Sequence, residues 1–166
     1  LSGFGCRILA YNRHENPDVA DLAEYVPLET LYQESDVISL HLPLTPETHH
    51  MISAETLSRM KKGVVLVNCS RGALTDIKAL ISGIESEQIG ALGLDCIEYE
   101  EDIVHKDLRT DILSNRDMAY LRQFKNVIHT QHMAFYTDSA VKSMVYCGVL
   151  GLIEMADGKD CATQLC

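Results

Sequence analysis

The sequence has no tryptophan, only three phenylalanines and four prolines, and no internal repeat or low-complexity linker. Its core must therefore be mainly aliphatic, and a proline-rich spacer is excluded. Basic residues are few: 14 Lys and Arg stand against 24 Asp and Glu, a formal charge of −10. Counterion release at a phosphate backbone needs clustered Lys and Arg, so nucleic acid and an anionic membrane surface are excluded as partners. No Cys-x-x-Cys pair occurs among the six cysteines, so no metal site is expected. Cys69 and Cys96 lie in apolar runs and read as buried free thiols in a reducing, cytoplasmic setting. No signal peptide is expected, and no uninterrupted apolar run reaches the roughly 18 residues of a membrane span. Also missing are an initiator methionine and a G-x-G-x-x-G turn. Leu1-Ser2-Gly3-Phe4-Gly5 reads as the end of a helix, with Gly3 and Gly5 fitting its cap, so the chain is expected to be the carboxyl-terminal part of something longer.

Against these absences, 46% of the 166 residues are apolar, enough to bury the core of one globular unit. Strands are expected at residues 7–11, 36–41, 64–67, 89–97 and 126–130. Val64 to Val67 has the β-branched continuity of a strand covered on both faces. Helices are expected from Pro27, over Ser53–Met60 with a serine cap, over about Asp76–Ser86, around Met118–Leu121, and from the Thr137 cap to about Asp157. The last of these places Val141, Met144, Val145, Gly148 and Leu152 on one face, as core or subunit interface. Residues 101–123 read as charged and irregular, and the tail 159–166 as frayed. This alternation predicts an α/β fold with a doubly wound parallel sheet.

Three stretches stand just past strand-like runs: Asn68-Cys69-Ser70-Arg71-Gly72, Gly93-Leu94-Asp95-Cys96-Ile97-Glu98-Tyr99-Glu100, and His132-Met133-Ala134-Phe135-Tyr136-Thr137. The carboxyl ends of parallel strands form the ligand crevice of such sheets, so residues distant in sequence can converge there. Arg71 can hold an anion by two hydrogen bonds, and His132 can move a proton near neutral pH, a set suited to acid–base chemistry on a small carboxylate. Locally, Arg71 also fits a surface arginine, Glu100 a solvated acidic loop, and Asp95 a structural carboxylate. His49, His50, His129 and His132 include no i, i+4 pair with a carboxylate at ligand spacing, which argues against a metal cluster.

The order N-x-S-R-G, G-x-D-x-x-x-x-E, H-x-A-F-Y-T, preceded by H-x-P-L-T-P-E-T-x-x-M-I, resembles the coenzyme domain of the D-isomer-specific 2-hydroxyacid dehydrogenases, most closely the D-lactate and D-2-hydroxyisocaproate branch. The resemblance runs from about Gly3 to Gly158 and implies a partial, Rossmann-like NAD(P)-binding domain over 1–158. Its first strand and glycine-rich turn are absent, and helix 137–157 packs toward a missing substrate domain. It further implies hydride transfer between a nicotinamide cofactor and a 2-keto or D-2-hydroxy acid, a homodimer through this domain, and a fragment inactive alone.

By the same resemblance, Arg71 would bind the substrate carboxylate, His132 would be the acid/base at the ketone oxygen, and Glu100 would orient His132 and favour its charged form. Asn12, Arg13, His41, Pro43, Thr48, Cys69, Ser70 and Asp95 would line the cofactor. Two departures stand out among the residues present. Gln131 replaces the proline common before the histidine. Asn12-Arg13 stands where NAD-specific members usually carry an aspartate, leaving both NAD and NADP open. A non-catalytic dinucleotide-sensing protein of the same fold is the alternative.

Overall fold

A computed structural model describes residues 2–19, 21–101, 103–104 and 115–159. In chain order the elements are β1 (Leu9–Ala10), β2 (Glu24–Tyr25), α1 (Leu28–Glu34), β3 (Val37–Leu40), α2 (Ala54–Leu57) and β4 (Val64–Asn68). There follow α3 (Ile77–Glu85), β5 (Ile89–Leu94), α4 (Arg116–Leu121), β6 (Val127–His129) and α5 (Asp138–Ala156). They fall into two compact units, Leu1–Gln131 and His132–Cys166.

Polar caps define the helix starts. Ser53 and Thr56 form a reciprocal capping box on α2, Asp76 accepts from the Lys78 and Ala79 amides, and Asn115 accepts from Met118. Each satisfies amides that a helix start leaves without partners, a contribution of about 1 kcal/mol. The α2 helix stops after four residues, shorter than expected, because Arg59 and Met60 donate to carbonyls only three residues back.

In the first unit, β3, β4, β5 and β6 form a parallel sheet in that order, with α2, α3 and α4 in the successive crossovers. This is a Rossmann-like arrangement of parallel strands and helices. One sheet face is covered across β3, β4 and β5: Ile38, Leu40, Val64, Leu66, Leu92 and Leu94 are buried with Ile52, Leu74, Leu80 and Ile89. Truncating one of these to alanine would cost about 2–5 kcal/mol.

Several expectations need correction. Burial alternates along β4, so Val65 and Val67 on its second face are only partly covered, and Val37 on β3 and Ile128 on β6 are exposed. The first strand is two residues long and pairs not with the larger sheet but with β2, a strand too short for periodicity to reveal. The β5 strand ends at Leu94: Asp95 still donates its amide to the Asn68 carbonyl, and the chain then leaves the sheet. Cys69 is exposed, although Cys96 is buried. Phe4 ends a turn of 3-10 helix and Gly5 takes the left-handed conformation (φ 69°) of a cap.

In the second unit, Thr137 caps α5 by accepting from the Ala140 amide, and Gly158 ends it in a left-handed conformation. The apolar side chains of α5 are not a core: Met144, Val145, Leu152 and Ile153 are exposed, and Gly151 alone in the helix is buried. Tyr146, Val149 and Leu150 are also exposed, so the apolar surface runs around the helix rather than along one stripe. By length and composition α5 could cross a membrane, although the sequence has no uninterrupted apolar run of that size. The expected frayed tail lies outside the described residues except for Lys159, as do residues 102 and 105–114 of the charged stretch.

Candidate active site

The carboxyl ends of the four strands lie in one register row. Leu40 faces Asn68, Asn68 faces Leu94, and Leu94 faces His129. His41, Cys69, Asp95 and Thr130 each come one residue later, so the first two motif stretches and the loop after β3 start from a common line.

The Arg71 turn is built by Asn68, which is 1% exposed. Its amide donates to the Arg71 carbonyl (2.8 Å) and its side-chain oxygen accepts from the Ser70 amide (3.1 Å). A buried polar group with donor and acceptor both satisfied fixes the turn it holds. Ser70 donates its hydroxyl to the Leu40 carbonyl (2.8 Å), tying the turn to β3. Arg71 itself is exposed in extended backbone, and its guanidinium donates to the Ser70 carbonyl (2.7 Å). Gly72 is required by close approach, since a Cβ there would lie 2.2 Å from the Ile97 carbonyl carbon.

That approach seats the loop after β5 on the turn. Glu100 is half-buried, and one carboxylate oxygen accepts from the Ile97 amide (2.8 Å). Asp95 is 4% exposed and accepts from the Thr130 hydroxyl. The Cys96 thiol donates to the Ser70 carbonyl (3.4 Å). Burial pushes this thiol up to about 12, with Glu100 and Asp95 adding to the shift and Arg71 opposing it. Arg71, Asp95 and Glu100 thus all act on one sulfur, which stays protonated.

A cavity of about 320 Å³ opens at the ends of β1 and β3, lined in part by Ala10, Tyr11, Asn12, Leu40, His41 and Leu42. Apolar walls with a few polar groups suit the adenosine end of a dinucleotide. Asn12 turns its side-chain oxygen to the Arg13 amide (2.8 Å), and His41 shares a hydrogen bond with Ser39 (2.9 Å). Arg13, Pro43 and Thr48 do not line the cavity; Thr48 braces its loop by donating to the Pro43 carbonyl (2.8 Å).

His132 opens the second unit and is half-buried, with a left-handed backbone (φ 53°) that is uncommon for histidine. His129, in the first unit, has its Nδ1 buried with no hydrogen-bond partner among the described residues. Desolvation, followed by the charge of Arg122, holds its pKa below the usual histidine value, against the opposing pull of Glu100 and Asp95. Sequence reasoning assigned no role to Asn68, His50 or Glu98. His50 and Glu98 pair at 2.7 Å, His50 stacks on His49, and the donor atoms of these three residues lie within 4.8 Å of one another. The expectation of no metal-ligating group thus meets a His-His-Glu set that sequence spacing does not reveal.

Residues 1–134 match the family model described as D-isomer specific 2-hydroxyacid dehydrogenase, NAD binding domain, and the chain belongs to that family. It is 40% identical over 165 residues to an aromatic 2-oxoacid reductase of Clostridium sporogenes, covering 99% of this chain and 50% of that one. It is also 40% identical over 166 residues to the D-lactate dehydrogenase of Escherichia coli, again covering 99% and 50%. Among solved structures, the D-lactate dehydrogenase of Treponema pallidum superposes with a TM-score of 0.95 at 33% identity, over 99% of this chain and 50% of that one. The D-lactate dehydrogenase of Lactobacillus jensenii with NAD+ does so with a TM-score of 0.91 at 32% identity, over the same shares. The chain therefore spans about half the length of the curated relatives it matches.

Proposed function

We propose that this chain is the coenzyme-domain part of a nicotinamide-dependent D-2-hydroxyacid dehydrogenase that interconverts a small 2-keto acid and its D-2-hydroxy acid. The observation that carries this reading is the register row Leu40, Asn68, Leu94 and His129, which starts the Arg71 turn and the Asp95–Glu100 loop from one line. Substrates of the pyruvate and aryl classes fit both the relatives' names and the exposed Arg71, and a branched-chain 2-keto acid presents the same carboxylate to that arginine.

The nicotinamide, when bound, supplies or accepts the hydride. Arg71 holds the substrate carboxylate with paired hydrogen bonds and draws charge from the adjacent carbonyl. His132 gives a proton to the ketone oxygen during reduction and takes it back in oxidation, with Glu100 keeping its ring oriented. Asp95, Cys69 and Ser70 border the nicotinamide end. Asn12 and His41 border the adenosine end, with Arg13, Pro43 and Thr48 in the loops beside it. We assign 1–158 to one coenzyme domain, with the apolar surface of α5 covered by the substrate-binding domain and a second subunit in a homodimer. The free Cys6, Cys69, Cys96 and Cys147 suit a cytoplasmic setting.

The test is NADH oxidation by the full-length protein with pyruvate, 2-ketoisocaproate and phenylpyruvate. Arg71→Ala and His132→Ala should each lower kcat/KM by about 10²–10⁴-fold. Near-parental values in both would refute the assigned roles, and dinucleotide binding without any turnover would favour the sensor.

A further inference from the structure

Glu98 is a buried carboxylate that the proposed chemistry does not use. Its side chain is 8% exposed, and its partner across 48 positions of sequence is His50 Nε2, at 2.7 Å. A carboxylate this buried needs such a partner, because an unpaired buried charge is strongly destabilising. The pair also closes a ring of three segments. His50, held in a left-handed conformation (φ 51°), donates its amide to the Ala73 carbonyl (2.9 Å), and Ile52 donates to Leu74 (3.0 Å). Gly72 in turn lies against Ile97 and Glu98, where a Cβ would meet the Glu98 amide nitrogen at 2.6 Å. Segment 50–52 is thus bound to segment 72–74, segment 72–74 is pressed on segment 97–98, and the side-chain pair joins 98 back to 50.

Arg71 immediately precedes this ring. Glu100 follows it by two residues, with its carboxylate on the Ile97 amide. We propose that His50 and Glu98 are positioning residues, a clip that keeps the Arg71 turn and the Glu100 loop in mutual register so that the substrate carboxylate is met at the correct place. This rests on the roles proposed above for Arg71 and Glu100. The clip uses His50 and not its stacked neighbour His49, which separates it from a metal site made of all three residues.

The test is steady-state kinetics of the full-length protein carrying His50→Ala, Glu98→Ala, the double variant, Glu98→Gln and His49→Ala. Misplacement of a substrate clamp by a fraction of an ångström to one ångström costs about 10- to 100-fold. Each alanine at His50 or Glu98 should therefore lower kcat/KM by about that factor, mainly through KM for the keto acid, with KM for NADH little changed. The double variant should be no worse than the poorer single one. Glu98→Gln, which keeps an oxygen acceptor, should retain most of the activity, and His49→Ala should be neutral. Additive losses, or equal rises in both KM values, would overturn the clip. So would Zn2+ binding abolished by His49→Ala as fully as by Glu98→Ala. Should the alanine variants fail to fold, amide exchange in His50→Phe, which keeps a ring and removes the Nε2 that pairs with Glu98, decides. Faster exchange at both 72–74 and 97–100 supports the clip, and no change at either overturns it. Failure of the parent reading is distinct, since it would appear as near-parental kinetics in Arg71→Ala and His132→Ala.

Discussion

The Thr130 hydroxyl donates to the carboxylate of Asp95, joining the ends of β5 and β6 by side chains one residue past the point where the strand ladder stops. The Thr130 amide also donates to the Leu94 carbonyl (2.9 Å). Asp95 is thus held from both neighbouring strands, since its own amide donates to Asn68 (2.9 Å).

Thr130→Val keeps the shape and removes the donor. It should lower stability by about 1 kcal/mol or more, the cost of removing one donor to a buried carboxylate, with Thr130→Ser close to the parent. Urea denaturation of the three proteins measures the difference.

Cys96 should be inert to alkylation. With its thiol pushed up to about 12, the thiolate is roughly one part in ten thousand at pH 8. Among the described cysteines, iodoacetamide followed by peptide mapping should find the exposed Cys6, Cys69 and Cys147 modified and Cys96 spared until the chain is unfolded.

His129 should make the fold sensitive to acid. Its folded pKa lies below the unfolded value of about 6.5, so in the window between them the unfolded chain binds more protons and stability rises with pH. The contribution is complete above the unfolded pKa and is lost as pH falls through 6.5 toward the folded value. Melting temperatures between pH 5 and pH 7.5 should slope less steeply in His129→Asn than in the parent; identical slopes would exclude this group as a source.

Asn12 should govern cofactor choice. An aspartate at the end of β1 would accept from ribose hydroxyls and repel a 2′-phosphate, whereas Asn12 beside Arg13 does not repel it. We propose that the full-length protein accepts NADPH as well as NADH. Asn12→Asp should raise the NADH/NADPH ratio of kcat/KM by about 10-fold or more, given one added like-charge contact with the phosphate. An unchanged ratio would remove Asn12 from cofactor selection.

The strand end before Arg71 was legible because Val64–Val67 is an apolar run stopped by polar residues, whereas the one before Asp95 and Glu100 was expected at Ile97 and falls at Leu94, since the apolar run continues past the last rung. The cap residues Ser53 and Thr137 were legible for a similar local reason. What escaped was set by pairing at a distance. Nothing near Glu98 distinguishes it from Glu101, and only a histidine 48 residues earlier makes it a buried partner. Asn68 belonged to a recognised motif, but its work on two backbone groups of the following turn appears only in three dimensions. A polar residue ending a β-branched run was the available signal. The exposed Cys69 shows the same limit, since alternation along β4 says which face a residue takes but not how far cover extends past the last rung.

The register row of Leu40, Asn68, Leu94 and His129 has an evolutionary consequence. Each loop starts from a rung of a ladder, so residues added inside a loop leave its starting point unchanged, whereas one residue added inside a strand would turn that strand's side chains to the opposite face. Variation among relatives should therefore be read strand by strand: substrate preference can drift through loop length, while the spacing within β3, β4, β5 and β6 acts as a fixed address for the chemistry.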